Sequence, residues 1–260
     1  MYMAKAQGKS CFRVFRSEMH DAAVERLEVE IRLRGVADRG ELVVHYQPIY
    51  EMVSHRVSAV EALVRWQHPE RGLLGPNSFI ALAEASGRID EIGDHVLGEA
   101  LRQVRRWDVD LGAETPAINV NLSPHQLLDR RLPERVQAHL QQSGVRPDRL
   151  ILEITETVLV EEIESTSDNL APLRELGVLI AIDDFGTGYC SLSYLQQFPV
   201  DIVKIDRQFI DELDEQATEM PLAKMILQLT AGLEVMSIAE GIERPAQLRA
   251  AAAEGTDMTP

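Results

Sequence analysis

Asp183 and Asp184 stand side by side after five apolar residues, Val178 to Ile182, in the stretch V-L-I-A-I-D-D-F-G-T-G-Y-C-S-L. Neighbouring strand residues point to opposite sides, so both can face one cation only if the strand ends or bulges there. Gly186 and Gly188, just beyond, make such an ending reasonable. Taken alone, the stretch fits equally well a strand closed by a solvated Asp-Asp turn. Other polar groups recur near the C-terminal ends of apolar segments, namely Glu61, Asn121, Glu153, Lys204 and Glu240. Singly, Glu61 reads as an exposed strand-end acid, Lys204 as a solvated lysine and Asn121 as a turn residue before Ser123-Pro124. Gathered at one place, the carboxylates among them would repel by about 4 kcal/mol for a pair roughly 4 Å apart at an effective dielectric of about 20. Divalent cations relieve that repulsion, and carboxylate plus amide oxygen suits Mg, Mn or Ca better than zinc. Two metals sharing one bridging carboxylate make a site for in-line phosphoester hydrolysis.

The elements that must position these groups alternate. Strands are expected at Leu42–Tyr50, Val57–Trp66, Ala117–Leu122, Leu150–Thr155, Val178–Ile182, Asp201–Ile205 and Val235–Ala239. In the second, the two-residue period puts Glu61, Leu63 and Arg65 on one face. Helices fill the gaps. One starts from Asn77 as N-cap, another carries Ile92, Val96, Ala100, Val104 and Trp107 along one side, and a third spans Leu222–Leu233. The βα alternation points to a parallel barrel or a doubly wound sheet. An open sheet would spread the polar residues along an edge, whereas a barrel converges them on one mouth. Earlier in the chain, Met19, Ala23, Leu27 and Ile31 recur four apart, as in an amphipathic linker helix packed on a neighbour.

Composition sets the outer bounds. At 260 residues, with 45% hydrophobic and 26% charged residues, the chain can bury a large soluble core. A net charge of −16 argues against a nucleic-acid polymer as partner, and against a small anionic ligand unless cations reverse the local field. Cys11 and Cys190, the two cysteines, form no disulfide framework or metal spacing, which points to a reducing cytoplasm. No apolar run reaches membrane-span length and no signal-peptide pattern opens the chain, so no membrane contact is expected.

Seven motifs then stand in order. They are Tyr46-Gln47-Pro48-Ile49, Glu61-Ala62-Leu63-Val64-Arg65-Trp66, Asn119-Val120-Asn121-Leu122-Ser123, Leu152-Glu153-Ile154-Thr155-Glu156, Asp183-Asp184-Phe185-Gly186-Thr187-Gly188-Tyr189, Val203-Lys204-Ile205-Asp206 and Ala239-Glu240-Gly241-Ile242-Glu243. Together they resemble the EAL domain, the cyclic di-GMP phosphodiesterase family with a modified (β/α)8 TIM-type barrel. Residues 1–16 resemble the C-terminal tail of a GGDEF (diguanylate cyclase) domain, without its active site. The expected division is therefore a GGDEF remnant over 1–16, a linker helix over 17–40 and the EAL domain over 41–260.

The resemblance implies roles residue by residue. Glu61, Asn121, Glu153, Asp183, Asp184 and Glu240 match ligands of two Mg or Mn ions, with Asp183 bridging. Lys204 matches the lysine that contacts the attacking water, which places Lys204, Glu61 and Asp183 at the chemistry. Gln47, Leu63 and Arg65 match positions that hold the dinucleotide, with Arg65 on a phosphate. Phe185, Gly186, Thr187 and Gly188 match a loop coupling the metal site to a homodimer interface, and Glu156 matches the acid that anchors it. The implied reaction opens one phosphodiester of cyclic di-GMP to give linear pGpG in cytoplasmic signalling, with a GGDEF domain upstream in the parent protein. The chain departs from the pattern at its end. Pro260 falls where the family has a glutamine, so the eighth strand and last helix are expected to be missing and the barrel open. A non-catalytic cyclic di-GMP receptor, or an inactive fragment of a larger GGDEF–EAL protein, are the alternatives.

Overall fold

The structure is a computed structural model, and it describes residues 27–161, 163–187, 198, 200–211 and 222–260. Nine strands form one sheet: β1 (Leu42–Glu51), β2 (Val57–His68), β3 (Gly72–Leu74), β4 (Ala117–Asn121), β5 (Leu150–Thr155), β6 (Leu179–Phe185), β7 (Ile202–Ile205), β8 (Met236–Ala239) and β9 (Met258–Thr259). Their order is β1-β9-β8-β7-β6-β5-β4-β2-β3, and β1 also pairs with β2. Eight strands thus close a ring, with β3 folded onto β2 outside it. The fold is an α/β barrel.

Within the ring one strand runs against the rest. β1 is antiparallel to both β2 and β9, whereas the neighbours from β2 through β9 around the far side are parallel. The cause is the connection over 52–56, which turns a hairpin and is too short for the crossover that parallel strands require. Described helices lie in the connections between later ring strands, as in Ile89–Leu111 before β4 and Leu132–Ser143 before β5.

Closure corrects the expectation of a missing eighth strand. Met258 and Thr259 pair with Glu51 and Tyr50 of β1, and Met258 pairs with Ile238 of β8. Two residues suffice to bridge the gap because the backbone of each strand bonds on both sides. Asp257 adds to the join, its carboxylate accepting from Ser237 N at 2.7 Å while its carbonyl accepts from Met52 N at 2.9 Å.

Two further expectations are corrected. Leu27 and Ile31 form the outer side of the helical turns over 27–33, at 56% and 59% exposure, while Val29, Leu33 and Val36 enter the core. Met19 and Ala23 lie outside the described residues. The 27–41 segment is therefore part of the barrel's packing, tied by Glu41, which pairs with Arg39 and accepts from the Trp66 indole at 3.1 Å. Asn77 does not cap a helix. It sits in a 3-10 turn, Pro76–Ser78, and the helix Ile80–Ala85 follows from Phe79 without a side-chain cap.

The core has two parts. Trp66, Phe79, Leu101, Val104 and their neighbours fill the space between ring and helices. Inside the ring, Ile49, Ala59, Ile151, Ala181, Ile202, Ile238 and Met258 form one apolar layer. That layer is the floor on which the polar residues stand.

Candidate active site

Because strand side chains alternate, the residue two positions toward the mouth from each floor residue also points inward. Applied to the floor, this rule gives Gln47 from β1, Glu61 from β2, Glu153 from β5, Asp183 from β6, Lys204 from β7, then Glu240 after β8 and Pro260 after β9. From β4, Ala117 leads to Asn119 and then to Asn121. An apolar floor and a polar layer above it thus follow from the strand period alone.

Lys204 is the centre of that layer, 1% exposed. Its Nζ lies 2.8 Å from Glu240 Oε1, 3.0 Å from Asp183 Oδ1, 3.1 Å from Glu153 Oε2 and 3.5 Å from Glu61 Oε2. Asn121 Nδ2 donates to Glu61 Oε1 at 2.9 Å, and Asn119 Nδ2 donates to Glu153 Oε1 at 2.6 Å. Of the residues expected here, Glu61, Asn121, Glu153, Asp183, Glu240 and Lys204 are brought into one network. Asn119 was not among them. The period-two count from Ala117 would have found it.

Asp184 arrives by the bulge that the paired aspartates required. Between β6 and β7 the register passes from Ile182–Val203 to Phe185–Ile205, so Asp184 comes to the mouth beside Asp183. Asp184 takes φ = 53°, the left-handed conformation that a short polar side chain tolerates best. Asp183, Asp184 and Glu240 each bring an oxygen to within 4.8 Å of the others. The turn beyond is pinned. Glu156, buried, accepts from Gly186 N at 2.7 Å, Thr187 Oγ1 donates to the Asp184 carbonyl at 2.8 Å, and Phe185 is buried. Gly188 lies outside the described residues.

The acids are held away from their ordinary protonation. Burial, followed by repulsion from Glu61 and Asp183, raises the Glu153 carboxyl to about 8 despite the nearby Lys204 ammonium. Burial and then Asp183 raise Asp184, with Asp206 adding to the effect. Burial raises Glu240 as well, with Lys204 pulling the other way. For Lys204, burial works against the charge, but Glu153, Asp183, Glu61 and Glu240 outweigh it and hold the ammonium well above its usual range. One lysine does not neutralise this many acids. An all-oxygen, partly buried, anionic donor set fits a hard divalent cation, which would replace protons as the compensating charge.

Two cavities open at the mouth. One of about 230 Å³ is lined by Gln47, Glu61, Asp183, Lys204, Glu240, Gly241 and Pro260. The other, about 650 Å³, runs from Asp183 and Asn121 along Leu63, between apolar walls that include Ile80 and Val96. Gln47 thus lines the smaller cavity and Leu63 the larger. Arg65 lies outside the lining of both cavities, its guanidinium donating to the Val64 carbonyl at 2.8 Å.

Comparison with known proteins agrees with this geometry. The EAL domain model matches residues 29–259. The chain is 40% identical over 248 residues to the cyclic di-GMP phosphodiesterase NbdA of Pseudomonas aeruginosa, covering 95% of this chain and 32% of that protein. It is 41% identical over 247 residues to the bifunctional diguanylate cyclase/cyclic di-GMP phosphodiesterase MucR of the same organism, covering 95% of this chain and 36% of that protein. The chain thus spans about a third of the length of these relatives. A solved PaMucR phosphodiesterase in complex with c-di-GMP superposes with a TM-score of 0.83 at 39% identity, covering 89% of this chain and 94% of that one. With its motifs at the mouth of a barrel of this topology and the family model matching nearly its whole described length, the chain belongs to the EAL domain family.

Proposed function

We propose that this domain hydrolyses cyclic di-GMP to linear pGpG, using two divalent cations, Mg or Mn, at the barrel mouth. The observation that carries the reading is the convergence of Glu61, Glu153, Asp183 and Glu240 on one buried ammonium, beside Asn121 and Asp184. The activity named for NbdA and MucR, and the dinucleotide in the PaMucR complex, support the substrate.

In this reaction water adds to one phosphorus and the P–O3′ bond breaks; one of the water's protons ends on the 3′ oxygen and the other on the new phosphate or in solvent. Cations held by Glu61, Asn121, Glu153, Asp183, Asp184 and Glu240 would supply positive charge to the phosphate and acidify the water. Lys204, buried among these acids, contacts the attacking water and helps set its protonation. Arg65 swings its guanidinium fork from Val64 to a phosphate, a geometry suited to two parallel hydrogen bonds. Leu63 and the apolar cavity beside it receive one guanine, and Gln47 contacts the dinucleotide from the opposite wall.

The reading extends to assembly. The segment from Phe185 through Gly188, anchored by Glu156, couples the site to a second copy in a homodimer. A GGDEF domain precedes this one in a longer cytoplasmic parent, in keeping with the length of the relatives. Among the described residues no helix is long and apolar enough to cross a membrane. A second reading, a cyclic di-GMP receptor without turnover, draws on Pro260, which lines the small cavity with no side-chain donor where the family places glutamine.

The test is hydrolysis of cyclic di-GMP by purified protein with Mg or Mn, following pGpG, beside Glu61→Ala. Turnover that the variant loses supports the phosphodiesterase. Folded protein that binds the dinucleotide without turnover supports the receptor instead.

A further inference from the structure

Asn119 occupies a place that the polar layer does not need for closure. It is fully buried inside the ring, its Cα paired with Glu61 across β2 and with Ile151 across β5. The inward residues below it are apolar, as in Ala59, Ile151 and Ala181. Its Nδ2 donates to Glu153 Oε1 at 2.6 Å, while its Oδ1 is buried without a hydrogen-bond partner among the described residues. An unpartnered buried carbonyl is costly, and an apolar residue of similar size would avoid that cost. The amide presents Nδ2, and not Oδ1, to Glu153 Oε1. What the side chain gains is its grip on Glu153.

That grip divides the two oxygens of Glu153. Oε1 is occupied by Asn119, and Oε2 faces Lys204 and the acids around it at 3.1 Å. A carboxylate pinned in this way offers the site one oxygen rather than two. Calcium takes six to eight oxygens and readily accepts a carboxylate through both, whereas magnesium and manganese favour six-coordinate oxygen shells.

We propose that Asn119 is a positioning residue that restricts Glu153 to one ligand oxygen, and so selects small six-coordinate cations over calcium at this mouth. The inference rests on the cation-dependent reading above. Released from Asn119, the carboxylate of Glu153 turns to present both oxygens, and the discrimination falls.

The experiment is calorimetric titration of the purified domain with manganese alone and with calcium alone, for the parent protein, Asn119→Leu and Asn119→Ala. The leucine keeps the volume and removes the donor; the alanine serves if the leucine variant shows no cooperative thermal unfolding. The expected result is a loss of manganese affinity of about tenfold to a hundredfold, the usual range for a residue that orients a ligand, with calcium affinity held or raised. Equal loss of both affinities, or an unchanged ratio in folded variants, overturns the proposal. If the parent hydrolyses cyclic di-GMP with manganese and the ratio is still unchanged, the proposal alone falls. If the parent binds neither cation, the phosphodiesterase reading falls with it.

Discussion

Lys204 and Glu153 hold opposite ends of one electrostatic problem. A buried ammonium facing Glu61, Glu153, Asp183 and Glu240 is the structure's own counter-charge. Removing it as Lys204→Met leaves the acids facing one another, and removing one partner of a buried ion pair costs about 3–5 kcal/mol. Thermal unfolding of the cation-free variant should show that loss, and manganese should restore much of it. An unchanged melting temperature without cations would contradict the assigned role. Glu153 gives a pH dependence. Its carboxyl is raised to about 8 in the fold, so the folded chain binds a proton that the unfolded chain releases near pH 4 to 5. Its contribution to stability is full below the unfolded value and is lost as pH rises through about 8. The cation-free protein should therefore be more stable at about pH 6 than at about pH 9, other groups being equal. Manganese binding near neutrality should release a proton, seen as a dependence of the calorimetric heat on the buffer's ionisation enthalpy. Heats that do not vary with buffer would show Glu153 already ionised.

At the scale of elements, the informative feature is the end of β6. The bulge brings two adjacent aspartates to the mouth beside Glu240, and Gly186 completes the turn at φ = 97°. A Cβ there would come within 2.8 Å of the Phe209 ring. Gly186→Ala should cost about 1–3 kcal/mol through strain and displace Asp184, lowering kcat more than substrate affinity. Denaturant unfolding beside steady-state kinetics would check both parts, and a variant with parental stability and kcat would refute the account of the turn. The sequence showed that the aspartates needed a bulge or an ending, because the two-residue period of a strand permits nothing else. It also exposed Glu61, Glu153, Lys204 and Glu240 as charged residues set in otherwise apolar runs. It did not expose Asn119, a neutral residue two positions before Asn121 in the same strand. Nor did it expose β9, because two residues carry no periodic signal and pair only with strands distant in the chain. The inner face of the 27–33 segment was misread for a related reason. Leu27 and Ile31 carry the four-residue repeat of apolar residues, yet Val29 and Leu33 are the residues that meet the core.

For the whole molecule, ring closure and function share one short seam. Met258 is buried in the floor layer and its strand joins β8 to β1. Met258→Ala should cost about 2–5 kcal/mol, as for other large-to-small core changes, with a lowered urea midpoint. A midpoint equal to the parent's would mean that the seam contributes little. Closure also brings the acids of four strands to one mouth in a chain of net charge −16, where a dinucleotide carrying two phosphates would otherwise be repelled. Cations are what make an anionic substrate compatible with an anionic site. The most direct test is therefore hydrolysis of cyclic di-GMP by metal-stripped protein, first with chelator and then with added manganese, beside Asp183→Asn. The account predicts no pGpG with chelator, turnover on adding manganese, and none from the folded variant. Turnover that persists in chelator, or that survives loss of Asp183, would contradict it.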